Sequence, residues 1–187
     1  MAGKKVGVLA LQGDFEAHGK ALAAAGAHPV FVRTAAQLEA VDGLVIPGGE
    51  STTMLKLLRD ERLMEPIARF GLRRPIFGTC AGLIVLASEV ESPRQFSLGF
   101  IDATVERNAY GRQRESFAEE GVARLGDRQV PVEMVYIRAP RIRRLGPRAE
   151  VLASRDGEPV MAREGTVLVA SFHPELTDDP AVHRYFC

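Results

Sequence analysis

Cysteine is scarce in this chain: positions 80 and 187 hold the only two among 187 residues. Two cysteines make no disulfide framework, and a free thiol suits a reducing compartment, so a cytoplasmic protein is expected. Nor do the cysteines and four histidines cluster with ligand spacing, so no metal site is expected. Charge of one sign is missing as well. Lys+Arg and Asp+Glu both number 24, which leaves no net field to recruit nucleic acid, an anionic membrane or an acidic substrate. Long hydrophobic runs are absent: Val6 to Leu11 follows Lys4-Lys5 but stops at Gln12-Gly13-Asp14, too short for a signal-peptide core or a membrane span. Lysine is confined to Lys4, Lys5, Lys20 and Lys56, none in a recognisable Schiff-base setting. The basic stretch Arg138 to Arg144 contains Pro140 and no interleaved aromatics, which favours a solvated face over an RNA surface. No repeat, low-complexity tract or Gly/Ser linker divides the chain, so residues 1–187 are expected to form one domain.

What is present begins with Gly78-Thr79-Cys80-Ala81-Gly82. Pro75-Ile76-Phe77 reads as a short buried strand and Leu83 to Ala87 as the first turns of a buried helix, so the cysteine stands on a tight strand-to-helix turn, a nucleophile elbow. Such a turn lifts the sulfur out of the sheet onto a helix N-terminus, where unpaired N–H groups favour the nucleophilic thiolate. A lone cysteine in an apolar run is more often a small buried hydrophobe; the glycine bracket argues against that here.

A nucleophile needs a base, and Ser171-Phe172-His173-Pro174-Glu175-Leu176 offers one with its own acid. Pro174 biases His173 toward extended backbone, so side chains two apart project to one side and the Glu175 carboxylate can reach the imidazole. Cys80, His173 and Glu175 then follow triad logic: thiolate attack, proton transfer, imidazole orientation. His18, His28 and His183 have no matching acid or glycine frame and read as surface residues.

The rest of the first half alternates apolar strands (Val6 to Leu11, Pro29 to Val32, Gly43 to Ile46) with helical patterns (Phe15 to Ala25, Ala36 to Val41, Thr52 to Phe70). That alternation predicts an α/β fold with a mixed, largely parallel sheet and helices on both faces. From Ile101 the pattern changes to short strands at Ala103 to Glu106, Val130 to Val135, Val151 to Ser154, Val160 to Arg163 and Val167 to Phe172, a mixed or antiparallel addition to the first sheet. Pro47-Gly48-Gly49-Glu50-Ser51 ends a strand on the same carboxyl edge as Cys80, where open α/β sheets bind ligands. Alone it is an ordinary turn; beside an elbow, a Gly48/Gly49 N–H with the Ala81 N–H can hold an oxyanion.

Pro47 to Met54, Gly78 to Ile84 and Ser171 to Leu176 together resemble the class I (triad) glutamine amidotransferases, a flavodoxin-like three-layer sandwich. The Glu50-Ser51-Thr52-Thr53 extension, Leu11-Gln12-Gly13, Val105-Glu106-Arg107-Asn108, Tyr110-Gly111-Arg112-Gln113 and Ile137-Arg138-Ala139-Pro140 narrow the resemblance to the glutaminase subunits of pyridoxal 5'-phosphate synthase. The likeness spans nearly the whole chain. It implies hydrolysis of L-glutamine by a Cys80, His173, Glu175 triad without a cofactor, and a glutamine pocket involving Gly48, Gly49, Glu50, Arg107, Ile137 and Arg138. It also implies ammonia delivery to a (β/α)₈ barrel synthase partner; Gln12 and the first strand-to-helix loop, which emerge on the same carboxyl edge of the sheet, are the candidates for the contact. Either arginine suits the substrate α-carboxylate; without the resemblance each reads as a surface ion pair. The helix begun over Asp178 to Phe186 is one that family members usually continue beyond the equivalent of Cys187. Alternatives are the glutaminase of another biosynthetic amidotransferase, a cysteine hydrolase sharing the elbow, and a catalytically silent regulatory subunit.

Overall fold

Apolar residues alternate in register along the central strands, and each set buries into a different layer. In the computed structural model, which describes residues 3–107, 109 and 116–187, the parallel strands are β1 (Lys5–Leu9), β2 (His28–Val32), β3 (Gly43–Ile46) and β4 (Ile76–Thr79). Helices α1 (Phe15–Ala24), α2 (Ala35–Glu39), α3 (Ser51–Asp60) and α4 (Met64–Gly71) connect them. Helix α5 (Ala81–Leu86) leads out of β4 into β5 (Ala87–Glu91) and β6 (Ile101–Glu106). The hairpin β7 (Ser116–Leu125) and β8 (Arg128–Ile137) follows, then β9 (Arg141–Leu145), β10 (Glu150–Arg155), β11 (Glu158–Glu164), β12 (Val167–Ala170), a 3-10 turn at Pro174–Leu176 and α6 (Ala181–Phe186).

The main sheet runs β10-β11-β12-β4-β3-β1-β2, with β12, β4, β3, β1 and β2 parallel and β11 and β10 antiparallel at one edge. Leu44, Ile46, Ile76 and Val169 point into one core with Leu38, Met54, Leu58, Ile67 and Leu83. Val6, Val8, Val45, Phe77 and Leu168 point into the other with Leu22, Tyr136, Phe172 and Val182. Helices α2 to α5 therefore cover one face, and α1, α6 and the β7–β8 hairpin the other. The three-layer expectation holds. Strands β1, β3, β4 and β12 all end on one edge, and each is followed by a loop or turn that carries a candidate site residue.

Three departures have local causes. The single helical pattern from Thr52 to Phe70 is two helices, because α3 ends in a Schellman motif: Arg62 N–H donates to Arg59 O (3.0 Å), Leu63 N–H to Leu58 O (2.8 Å), and Arg62 takes φ 56°. Arginine occupies the left-handed position where glycine would have announced the stop; the buried Leu58 and Leu63 flank it. Second, the helix after the elbow ends at Leu86, and Ala87 turns extended to start β5. Third, of the strands described after Ile101, only β10, β11 and β12 join the main sheet. Strands β5, β6 and β9 form a separate three-stranded sheet, and β7 pairs only with β8. Charged faces conceal β9: Arg144 bonds Asp102 (2.6 Å), and Arg143 pairs with Glu106. Among the described residues no helix is long and apolar enough to cross a membrane.

Candidate active site

Cys80 follows β4 directly and adopts φ 48°, ψ −103°, an unfavourable geometry for a side-chain-bearing residue. Two backbone bonds hold it there: Cys80 N–H donates to Ala170 O (2.9 Å) and Ile84 N–H to Cys80 O (3.2 Å). Its sulfur is nearly buried and lies 3.9 Å from the Ile137 carbonyl oxygen, a long sulfur contact. Ala81, whose N–H opens α5, is fully buried behind it.

His173 is the third residue after β12 and directly precedes the 3-10 turn, with its N–H donating to Val135 O of β8 (2.8 Å). Its Nδ1 is 2.7 Å from Glu175 Oε1, so the carboxylate accepts that ring proton. Nε2 makes no hydrogen bond among the described residues. Burial disfavours a charged ring, yet Cys80 and Glu175 outweigh it and raise the His173 pKa to about 10. Glu175 is also buried, which works upward, but His18 and His173 hold it well below the usual carboxylate range.

Gly48 and Gly49 follow β3, the neighbour of β4. A Cβ on Gly48 would collide with His173 Cε1 and approach Cys80 Cβ, so only glycine lets this peptide close over both groups. Gly49 has φ 134°, and a Cβ there would strike the Gln12 amide. Gln12 is thus wedged into the Gly49 notch, its Oε1 accepting from Glu50 N–H (3.3 Å). Glu50 caps α3, accepting from Thr52 N–H (3.0 Å) and Thr53 N–H (2.7 Å), and receives Arg107 Nη2 at 3.2 Å.

These groups surround a cleft of about 680 Å³ whose lining includes Gly48, Gly49, Glu50, Cys80, Arg107, Ile137, Arg138 and His173, together with Ser116 and Leu176. Of the residues named from sequence, Ala81, Gln12 and Glu175 stand outside that lining: Ala81 follows Cys80 in the chain, Gln12 packs against Gly49, and Glu175 is buried against His173 Nδ1. Arg107 is tied to Glu50 and to Thr52 Oγ1 (3.0 Å). Arg138 adopts φ 45° at the end of the β7–β8 hairpin. Asn108 and the Tyr110-Gly111-Arg112-Gln113 segment lie outside the described residues.

The reading of His18 and His183 as surface residues is wrong. Both are fully buried, His18 Nδ1 is 2.9 Å from His183 Nε2, and His18 Nε2 is 3.1 Å from Thr79 Oγ1. Helical spacing carries the missed signal: Phe15, His18 and Leu22 share one face of α1, and His183 follows buried Val182 on α6. His28 is exposed as expected.

A model of the SNO glutamine amidotransferase family matches residues 8–187. A relative from Solibacter usitatus, pyridoxal 5'-phosphate synthase subunit PdxT, is 56% identical, over 98% of this chain and 97% of its own. Its namesake from Thermotoga maritima is 49% identical over 97% of each chain. A solved glutamine amidotransferase superposes with a TM-score of 0.89 at 48% identity, covering 97% of this chain and 96% of its own. PurLQS from Thermotoga maritima superposes at 0.73 with 15% identity over 100% and 98% of the two chains, a likeness of fold alone.

Proposed function

This chain belongs to the SNO glutamine amidotransferase family, and from that premise we propose that it is the glutaminase subunit of pyridoxal 5'-phosphate synthase. It hydrolyses L-glutamine to L-glutamate and passes the ammonia to a (β/α)₈ barrel synthase subunit. Residues 1–187 work as one glutaminase domain, since the cleft draws on both halves of the chain. A cytoplasmic setting suits its free thiol.

The observation that carries the reading is the meeting of Cys80, the His173–Glu175 pair and the Gly48–Gly49 peptide at one sheet edge. Cys80 attacks the side-chain amide carbon of glutamine, and N–H groups from Gly48/Gly49 and Ala81 hold the oxyanion. His173, favoured as imidazolium by Cys80 and Glu175, gives its Nε2 proton to the departing ammonia. Once the sulfur is a neutral thioester, its contribution to His173 basicity disappears. The ring pKa then falls, and neutral His173 can take a proton from the water that releases glutamate. Glu175 keeps the ring oriented throughout. Arg107 and Arg138 flank the cleft as candidates for the α-carboxylate of glutamine. Gln12, lodged against Gly49, joins the first strand-to-helix loop to the oxyanion peptide and is the candidate through which a docked partner would order it.

Glutamate release with and without the barrel subunit tests this. Turnover that appears or rises with that subunit is expected. Release unaffected by it would point to another amidotransferase system, peptide cleavage to a hydrolase, and no release under any condition to a silent subunit.

A further inference from the structure

Behind the cleft lies a second polar cluster that the steps above do not use. Helix α1 brings His18 and α6 brings His183 into one dry layer beside Thr79, the last residue of β4. His18 Nε2 lies 3.4 Å from Glu175 Oε1, the same oxygen that accepts from His173 Nδ1. Glu175 Oε2 has no hydrogen-bond partner among the described residues. A buried carboxylate with so few donors would ordinarily take up a proton. Burial does act on Glu175 in that direction, and the largest influence that opposes it is His18, ahead of His173.

The groups around the two rings favour one placement of their protons. His18 Nε2 faces two groups: Thr79 Oγ1 at 3.1 Å, which can donate or accept, and Glu175 Oε1 at 3.4 Å, which when ionised only accepts and so would set its lone pair against a bare nitrogen. If His18 is neutral, Nε2 carries its hydrogen and Nδ1 accepts from His183 Nε2–H. If His18 is an imidazolium, Nδ1–H donates to a bare His183 Nε2. Both patterns put a proton on Nε2, where Thr79 Oγ1 and Glu175 Oε1 can share it; the competing arrangement is the neutral Nδ1–H tautomer with Thr79 donating to a bare Nε2. His183 remains uncharged in either case, because burial and then the neighbouring His18 hold its pKa at about 3.

From this geometry we propose that His18 is a positioning residue for the reaction: its Nε2–H anchors the Glu175 carboxylate in the orientation that fixes the His173 ring, and His183 fixes the ring of His18. The kinetic consequence rests on the glutaminase reading; the placement of the proton does not. The plainer alternative is that both histidines merely fill the core against Phe77, whose ring is 6.4 Å from His18 and 5.9 Å from His183.

Nitrogen-15 NMR of the full chain at neutral pH separates the two without any mutation. A protonated His18 Nε2 and a low-field Nδ1–H signal from His173 are expected; a bare His18 Nε2 overturns the proposal. Kinetics with saturating barrel subunit supply the second arm, starting with the parent chain. A parent that releases no glutamate sinks the glutaminase reading and leaves the tautomer to decide this one. Otherwise His18→Leu should lower kcat about ten- to a hundredfold, by analogy with loss of a residue that orients a metal-bound histidine, with KM within about twofold. It should also abolish the low-field His173 signal. His18→Gln, whose amide N–H can reach the same oxygen, should recover most of both. A leucine variant with parental kcat, or leucine and glutamine variants equally impaired with the His173 signal intact, would overturn the proposal.

Discussion

The rim and the base of the cleft each hold one carboxylate below its ordinary range, by opposite means. At the rim Glu50 is about half exposed, and its two oxygens collect backbone N–H groups of Thr52 and Thr53, the Thr53 hydroxyl (2.8 Å) and Arg107. Its partial burial works upward, but the Thr53 and Thr52 donors bring its pKa to about 2. At the base Glu175 is buried, touches no backbone donor among the described residues and faces two imidazoles. The difference teaches which job each acid does. Glu50 is saturated by fixed donors, so it stabilises a helix start and a loop. Glu175 is held by two titratable rings, so under the proposed function its ionisation is coupled to the chemistry. Cys80 and His173 stand between the two regions.

The largest effect should come from that junction. Cys80→Ala is expected to reduce glutamate release to background while leaving rim, base and partner binding unchanged, because the elbow needs only a small side chain there; His173→Asn should fall nearly as far. Residual turnover in Cys80→Ala would remove the cysteine from its role. At the base, Glu175→Gln should be milder by roughly one to two orders of magnitude, as when the orienting acid rather than the nucleophile is removed from a triad. It should also change the acid limb of stability. Glu175 has a folded pKa below its unfolded value, so it contributes stability above pH ~4.5 that is lost as pH falls further. Thermal melts of parent and variant should therefore converge in acid. If Glu175→Gln keeps full activity, the base is not what orients His173.

The same contrast explains what could be read from residues alone. The front of the site is contiguous in sequence: Gly48-Gly49-Glu50, Gly78 to Gly82 and His173-Pro174-Glu175 are each short runs in which a tight turn or an extended pair forces the geometry. The parallel sheet was legible for a similar reason, since β1 after Lys5, β3, and β4 before Thr79 are apolar runs buried on both faces. The base is assembled from α1, β4, α6 and the 3-10 turn, and nothing local to His18 or His183 announces that partnership. Likewise Arg62 ends α3 in a left-handed conformation that its side chain does not advertise, and the β7–β8 hairpin alternates intermediate and exposed positions over much of its length, which weakens any period-two signal.

Gly49 tests the rim side of the junction at intermediate size. Valine at φ 134° is strained wherever it sits, and its Cβ would strike the Gln12 amide. Gly49→Val should therefore misplace one oxyanion donor, and loss of such a donor typically costs a factor of about 10²–10³ in kcat. The deficit should persist with saturating barrel subunit. A valine variant that the subunit activates as fully as the parent would free the Gly48–Gly49 peptide from any part in the switch.

The smallest effect is expected at Glu50, and it should be one of stability and substrate binding rather than of chemical rate. Glu50→Gln keeps the shape of the cap but replaces a charge that serves two backbone N–H groups and Arg107. Loss of a good N-cap interaction costs about 1 kcal/mol, and solvent around a half-exposed carboxylate trims that figure. For a chain of this size such a change lowers Tm by roughly 2–4 °C at most. The pH dependence fixes its origin. With a folded pKa of about 2 against 4.5 ordinarily, the ionised cap contributes fully above pH 4.5 and less as pH falls toward 2. The Tm gap between parent and variant should thus be constant near neutrality and close in acid. Because Arg107 loses its anchor, KM for glutamine should rise while kcat stays within about twofold. A fall in kcat comparable to that of Glu175→Gln, with KM unchanged, would erase the distinction between rim and base, for it would mean that Glu50 too acts on the reacting groups.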